Sequence, residues 1–387
     1  MHLKSHFLSK FTTWLKKKKR GKLYLVGGKV RDYLWGKSSE DYDVVVSKDV
    51  NIREFFLKNN IKFVYYERGD IKTYKLWQNK REIDVCEMRA ENIEEDLKKR
   101  DFTINAIAYD IEEKKFIDPL DGKEDIEHKR LKMCYKQAFL DDPLRIVRLF
   151  RFSTEFFLTI DRETLDDCKK AMRFLTSVSR ERIGEELKKL FLLPSSFAYF
   201  SLMEKIGLME KIFPHTKRNL PLYISLDKTI GRWKISFNKH ILLSLKIAAF
   251  LGKNAEKHSD FYCWGKKIGK SAKLWFENKL LPYKVWNKEE GLGKLVVDFE
   301  EDLLPLSILS IAYISLNNDI KSFEQSVKDI FLNYRKYKEK IRVINGWDLM
   351  DIETRKRDEI LRSLRRKIID ENLSRDECLK LIKWKKI

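Results

Sequence analysis

Strand and turn signals crowd into the first third of this chain and mostly stop near residue 135. That break constrains the fold more than any other feature. The segment before it must pair strands into a sheet, and the longer segment after it must bury helical faces. Lys22–Val26 is a short apolar run that ends in Gly27-Gly28, and a helix is predicted from about Lys29 to Trp35. Tyr42–Val46 reads as a second strand. Lys72–Trp77 and Arg81–Met88 read as a hairpin across Gln78-Asn79-Lys80. One helix is predicted near Ile93, carrying Leu97, and another after Asp101-Phe102-Thr103. A sheet of about four or five strands with helices beside it accounts for this pattern.

Beyond residue 136 apolar residues recur at helical spacing, as in Ile146, Leu149 and Phe150, and in Ile183, Leu187, Leu190 and Phe191. Pro194, Pro214, Pro221, Pro282 and Pro305 stand between these stretches as punctuation. The fold class read from the sequence is therefore α+β, a small mixed sheet followed by an all-helical remainder. A chain of 387 residues is long for one compact unit, so two or three are expected.

Lys plus Arg number 80 against 59 Asp plus Glu, a net charge of +21. Such a surplus favours a polyanionic partner, because cations on phosphate release condensed counterions. A lysine-rich proteome would show the same surplus, and charge alone does not separate nucleic acid from an anionic membrane. The run Lys16-Lys17-Lys18-Lys19-Arg20 is open in the same way: an RNA-phosphate contact or the solvated end of a helix. Five scattered cysteines without a CxxC pair argue for a reducing compartment and against structural zinc. No apolar run approaches the roughly 20 residues that span a bilayer, and Phe7–Leu15 is too short and polar for a secretory segment. The expectation is a cytoplasmic protein without a membrane partner.

The chemistry-bearing segments begin at Val26-Gly27-Gly28-Lys29-Val30-Arg31-Asp32. A strand ends, two glycines come next and a helix starts, so backbone N–H groups can approach a phosphate. An ordinary turn would look the same. Asp41-Tyr42-Asp43 adds weight, because residues i and i+2 of a strand share a face. Two carboxylates on one face repel unless cations sit between them, and magnesium takes a few carboxylates together with phosphate oxygens. An exposed pair at a sheet edge is the plain alternative. Asp84, in Ile83-Asp84-Val85, is a candidate third carboxylate, with Glu82 on the same face as its rival. In Lys99-Arg100-Asp101-Phe102-Thr103-Ile104-Asn105-Ala106, Arg100, Asp101 and Asn105 suit a ribose hydroxyl and a triphosphate, unless Asp101 or Thr103 only caps a helix. In Asp141-Asp142-Pro143-Leu144-Arg145, Asp142 and Arg145 offer acceptor and donor groups to a base edge. Arg148 and Arg151 continue a basic stripe suited to phosphates, or to ion pairs along a surface helix.

These segments, VGGKVRD…DYD, RDFTINAIAYD, IDPLDGKEDI and DDPLRIVRLFRF, resemble in this order the class II tRNA nucleotidyltransferases and bacterial poly(A) polymerases. Those belong to the polymerase-β-like nucleotidyltransferase superfamily. The resemblance covers roughly residues 22–190, and SVSRERIGEEL looks like the family's next motif, which braces the neck. It implies a catalytic head at 1–135, a helical neck for base recognition at 136–214 and a tRNA-binding body and tail at 215–387. Asp41 and Asp43 would hold Mg2+; whether Asp84 or Glu82 assists stays open. Gly27, Gly28 and Arg31, with Asp32, would handle the triphosphate. Asp101 and Asn105 would line the ribose side, Asp142 and Arg145 would read the base, and Arg148 and Arg151 would hold phosphates.

Two departures from the family pattern stand out. Asp141 stands where the family usually has Glu. Only the ten residues Ala90–Lys99 separate Met88-Arg89 from Arg100-Asp101, where enzymes that build a full CCA end usually carry a longer flexible loop. The short segment resembles the CC-adding enzymes and implies CTP as substrate, the tRNA acceptor end and elbow as partner, and a separate A-adding enzyme acting on the product. Full CCA addition or A addition with ATP, a poly(A) polymerase and a catalytically inactive RNA-binding protein on this scaffold stay open.

Overall fold

The computed structural model describes residues 6–384 apart from 19–20, 38–40, 69–70, 79–80, 317–319, 351 and 353. Lys19, Arg20 and the hairpin residues Asn79 and Lys80 thus lie outside the described residues. The chain divides into two compact units, Met1–Glu186 and Leu187–Ile387.

The first unit runs α1 (His6–Lys18), β1 (Leu23–Val26), α2 (Gly28–Leu34), β2 (Tyr42–Val46), α3 (Ile52–Lys58), β3 (Val64–Arg68), β4 (Ile71–Gln78), β5 (Arg81–Glu87) and α4 (Ile93–Lys98). It continues through β6 (Ala108–Asp110), β7 (Lys115–Ile117), α5 (Gly122–Glu127), β8 (Arg130–Leu131), α6 (Ala138–Asp141), α7 (Arg145–Phe156), β9 (Thr159–Ile160) and α8 (Arg162–Ala171). Its main sheet has seven strands in the order β3-β4-β5-β2-β1-β6-β7. Only the β2–β5 pair is parallel, and the other neighbours are antiparallel. β1 is buried along its whole length and β2 at every position but Asp43. Both faces of the central strands are covered, which is why these segments read as apolar runs rather than as alternation.

Four or five strands were expected, and the sheet has seven. The helix expected after Asp101-Phe102-Thr103 is a single 3-10 turn, Thr103–Asn105, succeeded at once by β6. The apolar run Ala106-Ile107-Ala108-Tyr109 fits a buried strand or a helix equally well by pattern, and pairing with β1 decides it. α1 packs Phe7, Phe11 and Leu15 inward, and Phe11 stacks on Phe55 of α3 with ring centroids 4.4 Å apart.

In the second unit every described regular element is helical. Pro221 and Pro282 occupy the first turns of Leu220–Trp233 and Leu281–Trp286, where a missing N–H costs nothing. Leu303–Ile314 is buried along most of its length. Ile344, Leu349, Leu364, Ile368 and Cys378 form a small separate core near the end of the chain.

Candidate active site

The turn Gly27-Gly28 joins β1 to α2. Gly27 has φ +64°, a conformation that disfavours any residue with a Cβ, and a Cβ built there would lie 3.0 Å from Asp43 Oδ2 and 3.7 Å from Arg100 Nη1. The glycine is thus needed both for the turn and for the close approach of Asp43. The Gly28 N–H points at the Asp43 carboxylate.

Asp41 directly precedes β2, and Asp43 is its second residue. Parallel pairing sets Asp43 opposite Asp84 of β5. Register therefore brings Asp84, rather than Glu82, directly beside Asp43. Lys75 on β4 lies 3.4 Å from Asp84 and also pairs with Glu82. Asp43 keeps an open surface, yet the protein around it pushes its carboxyl above the ordinary value by burial, with Asp41 adding to the rise. Arg100, the Gly28 N–H and Arg31 pull the other way. Burial also raises Asp84, against the pull of Lys75.

Asp84 Oδ1 is buried, and the Lys75 ammonium at 3.4 Å faces it without completing a well-formed hydrogen bond. Among the described residues no group of three or more His, Cys, Asp or Glu forms a ready metal cage. Asp43 and Asp84 on adjoining strands, with Asp41 just before the first, suit a divalent cation whose remaining ligands are phosphate oxygens and water.

A continuous polar network leads away from this cluster. Arg31 is buried, donates to Asp32 Oδ1 from Nε (3.0 Å) and Nη2 (2.8 Å), and donates from Nη1 to Asn105 Oδ1 at 2.8 Å. Its guanidinium lies 4.3 Å from the Phe156 ring centroid. Asn105 Nδ2 donates to Asp101 at 3.1 Å, as do the Phe102 N–H at 2.9 Å and Arg148 Nε at 3.0 Å. Burial alone would raise the Asp101 carboxyl, but Arg148, Asn105 and the Phe102 N–H hold it well below the usual carboxylate range. Arg148 and Arg151, expected to meet phosphates, are tied to carboxylates in this structure. Arg151 donates to Glu186 and Glu155, each at 2.6 Å, and Arg148 pairs with Asp101 and reaches Glu186 at 3.8 Å. Arg148 joins α7 to the head, and Arg151 ties α7 to the helix Arg180–Leu192, rather than presenting an open basic stripe.

Asp142 and Arg145 flank Pro143 and Leu144 at the start of α7. Arg182 Nη2 donates to both Asp142 oxygens, at 3.2 and 3.0 Å. Arg145 donates from Nη1 to the Tyr135 hydroxyl (2.9 Å) and the Ala138 carbonyl (3.1 Å), and from Nη2 to the Lys99 carbonyl (3.2 Å). Arg182, Glu186 and Tyr135 escape sequence reasoning as site residues. SVSRERIGEEL signalled a brace without saying which side chain it holds. Arg100 is legible as a candidate beside Asp101, and Arg89 only as a motif flank. Arg100 donates to buried Asp96 at 3.1 Å, and the Arg89 guanidinium is lowered by burial and by neighbouring Arg100.

Residues 23–132 match the family described as Poly A polymerase head domain. Over this segment, under a third of its length, the chain is similar to that family. Residues 157–220 match a second family, described as a probable RNA and SrmB-binding site of polymerase A. The CCA-adding enzyme of Lactobacillus johnsonii is 33% identical over 221 residues, 53% of this chain and 55% of that protein. The CC-adding tRNA nucleotidyltransferase of Shouchella clausii is 32% identical over 191 residues, 49% of each chain. The chain thus spans about half the length of these curated relatives. The structure of an apo CCA-adding enzyme superposes with a TM-score of 0.76 at 18% identity, covering 98% of this chain and 93% of that one. At that identity the likeness speaks to fold alone: a head with a mixed sheet, and helices after it.

Proposed function

We propose that the chain is a template-independent tRNA nucleotidyltransferase that moves CMP from CTP to the tRNA 3′ end and stops after two additions. The observation that carries this reading is the pairing of Asp43 with Asp84 beside the Gly27-Gly28 turn, with Asp41 directly before β2. Divalent cations held by Asp41 and Asp43, proposed to be Mg2+, would activate the attacking 3′ hydroxyl and offset charge on the leaving pyrophosphate. The Gly27-Gly28 turn and Arg31 receive the triphosphate. Asp101 and Asn105, locked by Arg148 and Arg31, line the ribose side.

Base choice falls to Asp142 and Arg145. Cytosine presents an amino donor beside two acceptors, N3 and O2. An aspartate acceptor and arginine donors complement that edge, whereas uracil presents acceptor, donor, acceptor. Addition without a template needs such a protein edge.

The preference for two cytidines rests on Ala90–Lys99. Asn92 caps α4 by accepting from the Glu95 N–H at 2.9 Å, and Ile93 and Leu97 sit in the core with Met88 and Val45. Buried Asp96 ties the segment to the Arg89 backbone at 2.7 Å and to Arg100. This connection has no slack for a mobile loop. The relatives carry both CC-adding and CCA-adding names.

The proposed partner is tRNA, gripped by the neck (136–214) and by the body and tail (215–387), with a separate enzyme adding the terminal A. Among the described residues no helix is long and apolar enough to cross a membrane, and a cytoplasmic site of action is proposed. The test offers tRNAs ending at the discriminator base, at C and at CC, with CTP or ATP alone. Addition of two, one and no cytidines, with ATP unused, is expected. ATP added to the CC end overturns the CC stop, and long A tails on unstructured RNA indicate a poly(A) polymerase.

A further inference from the structure

We propose that Tyr135 is the positioning residue that fixes the donor edge of Arg145 and thereby sets base selectivity, an inference resting on the base-reading role given above to Asp142 and Arg145. The Tyr135 hydroxyl stands between two charged groups. It is 2.6 Å from Asp141 Oδ2 and 2.9 Å from Arg145 Nη1. A carboxylate can only accept and a guanidinium can only donate. The hydroxyl therefore donates to Asp141 and accepts from Arg145, and its polarity is locked. Burial and the bond to Asp141 both favour the protonated phenol.

This bridge decides which Arg145 donors remain. A guanidinium has five N–H groups. Both on Nη1 are used, by Tyr135 and by the Ala138 carbonyl, and one on Nη2 is used by the Lys99 carbonyl. Among the described residues nothing takes Nε–H or the second Nη2 N–H, which lie on neighbouring nitrogens of the fork. Two donors side by side match two acceptors side by side, as on the N3–O2 edge of cytosine, and oppose the N3–H of uracil. The Tyr135 ring also lies against the guanidinium, 5.6 Å from its carbon. Asp141 alone cannot do this, because the hydroxyl fills the space between it and Arg145.

Tyr135→Phe keeps the ring and deletes only the bridge. The assay compares steady-state CMP and UMP incorporation into tRNA lacking its CCA end. We expect kcat/KM for CTP to fall about tenfold, chiefly through KM, and the CTP-over-UTP preference to fall by a similar factor. Adding Asp141→Glu to Tyr135→Phe should restore part of the preference, since a carboxylate one methylene longer meets Arg145 in the vacated space. An unchanged preference overturns the inference. So does an equal loss with both nucleotides that Asp141→Glu does not rescue, the pattern of a merely structural tyrosine. Equilibrium binding of CTP and UTP by calorimetry separates this from the proposed reaction. A wild type that prefers CTP in binding, a preference Tyr135→Phe erases, supports the Tyr135 role even without turnover. Equal wild-type affinity for the two overturns it.

Discussion

Replacing Asp101 by Asn removes a charge and almost no volume, at a carboxylate that joins the head motif to α7. Asp101 is buried and accepts from the Phe102 N–H, Asn105 Nδ2 and Arg148. An amide offers one acceptor oxygen in place of a carboxylate, and its NH2 group opposes any donor it faces. Losing one partner of a buried ion pair costs about 3–5 kcal/mol. The Arg148 side chain is 31% exposed, so water partly rehydrates it, and the low end, about 3 kcal/mol, applies. For a unit the size of Met1–Glu186 that is a fall in Tm of about 6–12 °C.

Calorimetry on wild type and Asp101→Asn, monitoring the transition of the first unit, reads this directly. The sign with pH is fixed as well. The Asp101 value is depressed in the folded protein, so its contribution is present above the unfolded carboxylate value of about 3.9 and is lost as pH falls through the folded value. The Tm gap between wild type and variant should therefore shrink below about pH 4. A gap under about 2 °C at neutral pH, or one that does not shrink in acid, refutes the reasoning.

The same geometry sets other outcomes. Gly27→Ala meets both the positive φ and Asp43 Oδ2 at 3.0 Å, and CMP incorporation should drop about 100-fold in a single-turnover assay. Arg182→Met leaves Asp142 without its two-oxygen partner, and KM for CTP should rise about tenfold in steady-state measurements. With a net charge of +21, tRNA affinity measured by filter binding should weaken by about a factor of 10³ or more between roughly 50 and 200 mM salt, and a flat salt dependence would remove the basic surface from the interface.

The central strands and the motif order were legible because local pattern determines them. β2 was read at its full extent, since a short apolar strand that begins between two carboxylates has no helical period to compete with. Asp84 was legible as a strand residue, but its place beside Asp43 depends on a parallel pairing between distant strands that no local pattern encodes. β3 and β7 went unread because edge strands are short and mixed in polarity. β6 hid in a run that also suits a helix. The roles of Arg182, Glu186 and Tyr135 depend on which carboxylate or guanidinium the fold brings near them. The sequence shows such residues only as charge or as a brace.

The most direct test of the central claim compares CMP incorporation into tRNA lacking its CCA end by wild type, Asp41→Asn and Asp43→Asn, with tRNA binding measured on all three. Incorporation by wild type and a loss of about 100-fold or more in each variant are predicted, with tRNA binding retained. A wild type that incorporates nothing, or near-normal turnover in either variant, would contradict the metal-binding role of these two aspartates.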